Sequence, residues 1–425
     1  MNPSTNPVNT SFAVTRKKRI SMAIVLGSMT AIGPLSIDMY LPSLPILAND
    51  LGTSTSLAQL SLTACLLGLA IGQLLLGPLS DSRGRRGPLL ISLLIYAAAS
   101  FLCGLVSSIW GLILLRFIQG MAGSGGIVIA RAMVGDMYSG TELTQFFSLL
   151  MLINGLAPIL APVAGGQLLQ FTSWHGVFAV LGILGLVMVL AAFIGLQETL
   201  PREGRSKGGI KTTVGTFGRL LGDKVFMGYV CTQGFVFAAM FSYISGSPFV
   251  LQDIYGASPQ QFSLVFALNG LGLIIATQLT GRLAPRFHES RLFISGILLS
   301  LIGALLLLAM ILIGALLLLA MILIGAPLFA VLIFLFIVVS STGIVNTVGF
   351  SLAMQNQGKN AGSASAMLGL LPFIAGSVAA PLVGIAGNHT AVPMGIVIVC
   401  CGLGAIFCYM FMIRPQSSLG EEGRN

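Results

Sequence analysis

Two charged side chains stand inside apolar sequence, where a charge is costly to keep. Asp38 lies in Pro34-Leu35-Ser36-Ile37-Asp38-Met39-Tyr40-Leu41-Pro42 and is the only acidic residue within the core of any long apolar run. A carboxylate in such a place must be paired, protonated or hydrated. One that alternates between charged and neutral forms takes up and releases a proton; one at the rim of the apolar layer only solvates a helix end. Arg116, in Leu114-Leu115-Arg116-Phe117-Ile118, is set deeper in its run and keeps its charge at any ordinary pH. It must face protein or water, either as a structural interior contact or as a charge that polarises a cavity. A neighbouring carboxylate or backbone carbonyls are its expected company. The charged turn Gly77-Pro78-Leu79-Ser80-Asp81-Ser82-Arg83-Gly84-Arg85-Arg86 combines glycines for a tight bend with an Asp that can cap a helix or pair with arginine. The same residues also read as a plain basic loop. Gln119, Asn154, Gln233, Asn269 and Asn346 interrupt other apolar runs, either lining a cavity or hydrogen-bonding between helices. His175, His288 and His389 have no carboxylate at metal-ligand spacing, no Ser-His or paired-Asp constellation is present, and no P-loop exists. The six cysteines all lie in apolar stretches and read as small hydrophobes. No enzyme, no metal site and no cofactor is expected.

The elements that must carry these residues follow from composition. The chain has 425 residues, 56% of them apolar and only 8% charged, with a mean hydropathy of +0.97. A soluble domain carries about 25% charged residues, so this chain belongs in a bilayer. Reading for runs of roughly 20 apolar residues gives twelve spans: 20–42, 57–80, 88–107, 109–134, 143–169, 175–196, 225–250, 261–284, 291–322, 326–352, 361–386 and 391–413. The polar stretch Met1–Thr15 carries no cleavage-type site, so the first run is expected to stay as a span. Twenty of the 21 Lys and Arg fall in the two tails and in alternate connections, and the opposite connections have none; the remaining one is Arg116. The positive-inside rule then places both termini in the cytoplasm. The net charge of +9 is a topological signal and does not imply nucleic acid.

A hydrophilic interruption near residues 197–224 divides the chain into a tail (1–19), a six-helix bundle (20–196), a central loop (197–224), a second six-helix bundle (225–413) and a tail (414–425). Echoes support a repeat. Gly77-Pro78-Leu79-Ser80-Asp81 returns as Gly281-Arg282-Leu283-Ala284-Pro285, at an offset of 204, and Pro42 has its partner in Pro248. Ala161-Pro162-Val163-Ala164-Gly165 returns as Ala380-Pro381-Leu382-Val383-Gly384, at an offset of 219. The jump has a visible cause: residues 301–311 are repeated unchanged as 312–322, an eleven-residue step that nearly preserves helical phase. Span 9 should therefore overshoot the bilayer, tilt or kink.

These residues resemble a known family. The run Gly77 to Arg86 is similar to the loop signature of the major facilitator superfamily, G-x-L-x-D-R-x-G-R-R, with Ser82 in place of the usual basic residue. Arg116-Phe117-Ile118-Gln119-Gly120 resembles its span-4 signature, R-x-x-Q-G. Ala161-Pro162-Val163-Ala164-Gly165-Gly166 resembles the span-5 antiporter signature, G-P-x-x-G-G, with Ala first. Asp38-Met39-Tyr40-Leu41-Pro42, and Ala130-Arg131-Ala132 through Asp136-Met137-Tyr138-Ser139, resemble the bicyclomycin-resistance (Bcr/CflA) drug-efflux subfamily. The resemblance implies an all-α membrane protein of two pseudo-symmetric six-helix bundles. It implies a proton-coupled antiporter exporting drugs or other small amphipathic molecules by alternating access, powered by the proton gradient without a cofactor; a transporter of an amino acid or sugar is the alternative. Asp38, Tyr40, Arg116, Gln119 and Asn154 would serve proton and substrate binding. Gly77, Asp81, Gly84, Arg85 and Arg86 would form an inner gate, with Asp81 and Arg85 locking and releasing it between the two bundles. Pro162, Gly165 and Gly166 would bend span 5 where it meets the other half. A monomer in the inner membrane, with protons, small solutes and lipid as its only partners, completes the expectation.

Overall fold

The computed structural model describes residues 16–138, 140–205, 218–283, 286–287, 289–316, 328–355, 357, 361–385, 387 and 390–414. Among these, every regular element is helical. Span 1 is broken into Arg16–Thr30, Ile32–Asp38, a 3₁₀ turn Leu41–Ser43 and Leu44–Asp50, with a 44° bend across the first break. The breaks have a chemical cause. A proline lacks the N–H that would bond the carbonyl four residues earlier. Pro34 thereby frees the Thr30 carbonyl, and Pro42 that of Asp38, so helix ends fall at both residues. Spans 2 to 6 are Thr55–Arg83, Arg86–Cys103, Ile109–Met137, Gly140–Leu168 and Trp174–Gly195; spans 7 to 12 are Lys224–Phe249, Pro259–Leu283, Glu289–Leu316, Leu328–Met354, Ala361–Val383 and Val392–Cys408. Side chains start some of them. Ser54 accepts from the Leu57 amide, and Asp223 from those of Val225 and Phe226.

Eight of these helices are long and apolar enough to cross a membrane, nine when the bent first pair is taken as one span, and shorter apolar helices run through Leu152–Leu168, Ser290–Ile302 and Met367–Val383 in spans 5, 9 and 11. Span 9 is one uninterrupted helix through the first copy of the eleven-residue repeat and into the second, up to Leu316. The rest of the second copy, and the remainder of the predicted span to 322, lie outside the described residues. At 28 residues the described helix is about 42 Å long, already longer than the roughly 30 Å of hydrocarbon.

The two halves repeat one packing scheme. In the first, span 4 packs on spans 2 and 3, span 1 on spans 4 and 5, and span 3 on span 6. In the second, span 10 packs on spans 8 and 9, span 7 on spans 10 and 11, and span 9 on span 12. The halves meet along two seams, span 2 on span 11 and span 5 on span 8. The faces that meet lipid carry exposed Leu, Ile and Phe side chains, as a bilayer solvent requires. One end of the bundle holds the basic connections; the other, charge-poor end holds the outer segments of span 1.

Candidate functional site

Between the halves lies a cavity of about 340 Å³, lined by spans 1, 2, 4, 5, 7, 8, 10 and 11. Its walls are mostly apolar, with Phe237, Met240, Phe241, Phe266, Leu273 and Phe373 prominent. Asp38 lines it, placed by the proline-terminated helix Ile32–Asp38, and is only 6% exposed. Among the described residues no hydrogen bond or ion pair reaches its carboxylate. Across from it, on span 7, Tyr243 also lines the cavity, its hydroxyl accepting from Asn269 Nδ2 at 2.8 Å. Asn154 lines the same space and donates to Thr30 Oγ1 at 2.9 Å and to the Leu150 carbonyl at 3.0 Å. Span 5 is thereby tied to the first break of span 1.

Tyr40, Arg116 and Gln119 form a second cluster, within the first bundle and away from the cavity lining. The Arg116 guanidinium is fully buried, stacked 4.8 Å from the Tyr40 ring centroid and 5.6 Å from that of Phe178. Its Nη1 donates to Gln119 Oε1 at 2.6 Å, and Gln119 Nε2 donates to Ser100 Oγ at 2.7 Å. Tyr40 shares a 2.9 Å hydrogen bond with Ser61. Nε and Nη2 of Arg116 have no partner, and no carboxylate pairs with it among the described residues. Its company is therefore aromatic faces and an amide oxygen, where a carboxylate or backbone carbonyls were expected. The cluster touches the Asp38 helix indirectly. Ser100 donates to the Tyr96 carbonyl, and the Tyr96 hydroxyl is 2.8 Å from Ser36 Oγ, two residues before Asp38.

The charged turn at the basic end is docked onto its own bundle. Arg85 pairs with Asp81 one turn before it, with Asp136 at the end of span 4 at 2.9 Å, and donates to Ser80 Oγ at 2.8 Å. The Glu198 carboxylate accepts from the amides of Arg85 at 2.8 Å and Arg86 at 3.2 Å. Burial works to raise the Glu198 carboxyl, but these amides, that of Leu200 and the charge of Arg205 outweigh it and hold it below the usual carboxylate range. Arg86 donates to the Phe193 carbonyl at 2.8 Å and lies over the Phe193 ring. Gly84 has φ +95°, and a side chain there would run into Arg205 and Glu198. Gly77 packs against Val128 of span 4. These contacts of Arg85 and Arg86 lie within the first bundle and the start of the central loop at Glu198.

Pro162, Gly165 and Gly166 sit where span 5 crosses to the charge-poor end. A Cβ at Gly165 would collide with the Met39 carbonyl of span 1, and one at Gly166 with Ser263 and the Pro259 carbonyl of span 8. Gln260 donates to the Gly166 carbonyl at 2.7 Å. The other seam mirrors it: Ser56 donates to the Pro381 carbonyl at 3.3 Å, and Gly384 abuts Ser56 and Gln59. Ser56 and Gln260, like Gln59 and Ser263, are separated by the same offset of 204 as the loop echo. Thr63 to the Ser377 carbonyl, Gln59 to the Ser245 carbonyl and Gln252 to the Pro42 carbonyl, at 3.1–3.2 Å, add to this seal. These five cross-bundle bonds lie at the charge-poor end.

Of the residues singled out in the sequence, the cavity gathers Asp38, Asn154 and Asn269 and leaves Tyr40, Arg116 and Gln119 behind span 1. It adds Tyr243, Gln73 and Arg131. Arg131 had been counted as a basic-end residue and as part of the Ala130-Arg131-Ala132 resemblance, with no place in the binding site; its position in an apolar run was the available signal. Tyr243 carries no spacing signal of its own.

Two matching seams, a cavity between repeated bundles and a buried carboxylate on its wall define a membrane transporter. The family model of the Major Facilitator Superfamily matches residues 26–380, and the chain belongs to that superfamily. It is 48% identical over 383 residues to the uncharacterized MFS-type transporter YdgK of Bacillus subtilis, covering 90% of this chain and 92% of the relative. It is 28% identical to a bicyclomycin resistance protein homolog of Haemophilus influenzae, covering 93% and 97%. Among solved structures it resembles a bacterial homolog of the human lysosomal transporter Spinster in an inward-facing, unoccupied conformation, with a TM-score of 0.73 at 14% identity over 94% of this chain and 97% of the other. That likeness concerns the fold.

Proposed function

We propose that this chain is a proton-coupled exporter of small amphipathic molecules, drugs among them, acting as a monomer in the inner membrane with both termini cytoplasmic. The observation that carries the reading is Asp38: a buried carboxylate without a bonded partner, on the wall of a mostly apolar cavity between two bundles. In such a wall a carboxylate is stable when neutral or when a cationic or hydrogen-bond-donating solute meets it, so proton and solute compete for one place. The apolar walls suit an amphipathic solute better than a sugar, whose many hydroxyls would lack partners. The name of the bicyclomycin-resistance relative points the same way. With the basic end in the cytoplasm, the sealed seams close the outer side, and breaking their five hydrogen bonds accompanies outward opening around a midplane site. Arg85 and Arg86 keep the span 2–3 turn rigid during that rocking.

The test is solute-driven proton movement in proteoliposomes carrying an internal pH dye, with the wild type and Asp38→Asn. The wild type should release protons on addition of amphipathic drugs, and Asp38→Asn should insert normally and show none. An unchanged signal in the variant removes Asp38 from the mechanism. A response to an amino acid or sugar alone replaces drug export with metabolite transport.

A further inference from the structure

The cavity carries a second charge that the coupling scheme does not use. Arg131 lines it from span 4. Its Nε is buried without a hydrogen-bond partner, and none of its donors meets a carboxylate among the described residues. The nearest carboxylate along the helix, Asp136, is taken by Arg85 and, five residues on, points roughly 140° away around the helix. Simple snorkelling to the basic end would leave the guanidinium in water, not lining an inter-bundle cavity with a buried, unpartnered Nε. The two charges stand at opposite ends of one space. Gly33 packs on Ile127, and both line the cavity. Asp38 lies five residues beyond Gly33 toward the charge-poor end, and Arg131 four residues beyond Ile127 toward the basic end, so their Cα levels differ by roughly 13 Å. Phe237, Phe241, Phe266 and Phe373 line the same space, and the Phe373 ring packs with those of Phe237 and Phe241.

We propose that the cavity is built for a dipolar amphipath, a zwitterion with an aromatic body, whose oxyanion sits in the guanidinium fork of Arg131 and whose ammonium meets Asp38. The inference rests on the exporter reading and sharpens it to a substrate class. A guanidinium presents paired donors that match an oxyanion, and a cavity of this volume suits a drug-sized solute. A zwitterion leaves the cavity's net charge unchanged, since Asp38 and Arg131 are opposed. Its ammonium competes with the proton for Asp38, as exchange requires; a pure anion would instead favour proton uptake alongside it, the opposite coupling.

A matched trio tests the class: 4′-(aminomethyl)biphenyl-4-carboxylate, its methyl ester and its N-acetyl derivative. The three carry both charges, the cation alone and the anion alone. Calorimetric titration into the full chain in nanodiscs at neutral pH should show the zwitterion binding about tenfold or more tighter than either derivative, the scale of one charged hydrogen-bonded contact. Arg131→Gln should bring the zwitterion down to the affinity of the ester, and Asp38→Asn to that of the N-acetyl compound. Arg131→Lys, which keeps the charge without the fork, should fall between, and it also controls for misfolding of the Gln variant. Equal wild-type affinities, no binding of any of the three, or a zwitterion advantage that survives in Arg131→Gln would each overturn the proposal. Proton movement driven by permanent lipophilic cations, with no zwitterion preference, would keep the exporter reading and sink this one. Zwitterion binding without any proton movement would do the reverse.

Discussion

Arg116 is a full charge buried beneath two aromatic rings with two of its nitrogens unpartnered. Cation–π contacts contribute on the order of 0.5–2 kcal/mol, less than the several kcal/mol that burial of an ion costs. The position is therefore a stability burden, and a burden retained points to use. Arg116→Met, of similar reach and without charge, should keep or raise the melting temperature of the purified protein while abolishing transport. A marked drop in melting temperature with transport intact would make Arg116 a structural contact. Arg116→Lys keeps the charge but loses the planar stack and the directed bond to Gln119, and its transport should also fail; full activity there reduces Arg116 to a generic positive charge.

At the scale of elements, prolines and glycines set the geometry. Pro34 and Pro42 end helices at Thr30 and Asp38, which is why a carboxylate stands at a helix end on a cavity wall. Gly165 and Gly166 let span 5 lie against the backbones of spans 1 and 8. Gly166→Val should destabilise the protein by about 1–3 kcal/mol, the usual cost of overpacking, and slow transport, read by thermal denaturation in detergent and by uptake; normal values for both would show that the seam is loose. The span 2–3 turn depends on Glu198. Because its carboxyl is held below the usual range, its contribution is present above the ordinary glutamate pKa and is lost only as pH falls through the lowered value. Glu198→Gln should speed hydrogen exchange at the Arg85 and Arg86 amides by a few-fold, the scale of an exposed charge contact, and flatten the acid-side rise in their exchange. Identical exchange in the two proteins would mean that the turn is held by the Arg85 pairs alone.

At the scale of the whole molecule, the two seams are one device used twice. Span 2 on span 11 and span 8 on span 5 present equivalent residues, Ser56 with Gln260 and Gln59 with Ser263, to the corresponding stretch of the partner span, Pro381 and Gly384 in one seam and Gly166 in the other. If their opening is the transport motion, joining one seam must stop it. Thr63→Cys with Ser377→Cys, in a background lacking the six native cysteines, should form a cross-link with a short bifunctional thiosulfonate, lose transport, and recover it on reduction. Cross-linked protein that transports at the normal rate would show that this seam stays closed throughout the cycle.

Composition, the one-sided placement of Lys and Arg and the echoes between halves were enough to define an all-helical membrane bundle and to set the expectation of twelve spans in two repeats, because a bilayer imposes length, apolarity and charge asymmetry on each segment separately. The motifs singled out Asp38, Arg116 and the span 2–3 turn for the same reason, since a charge or a run of glycines in an apolar run is conspicuous by itself. What no single segment carries is which face of a helix meets which neighbour. Span 1 turns Asp38 toward the cavity and, after its break, Tyr40 toward Arg116, two residues apart and on opposite sides of a wall. Arg131 reads as one more basic-end charge until spans 1, 7 and 8 close the space around it. Those decisions belong to packing between distant segments, and only the tertiary structure makes them.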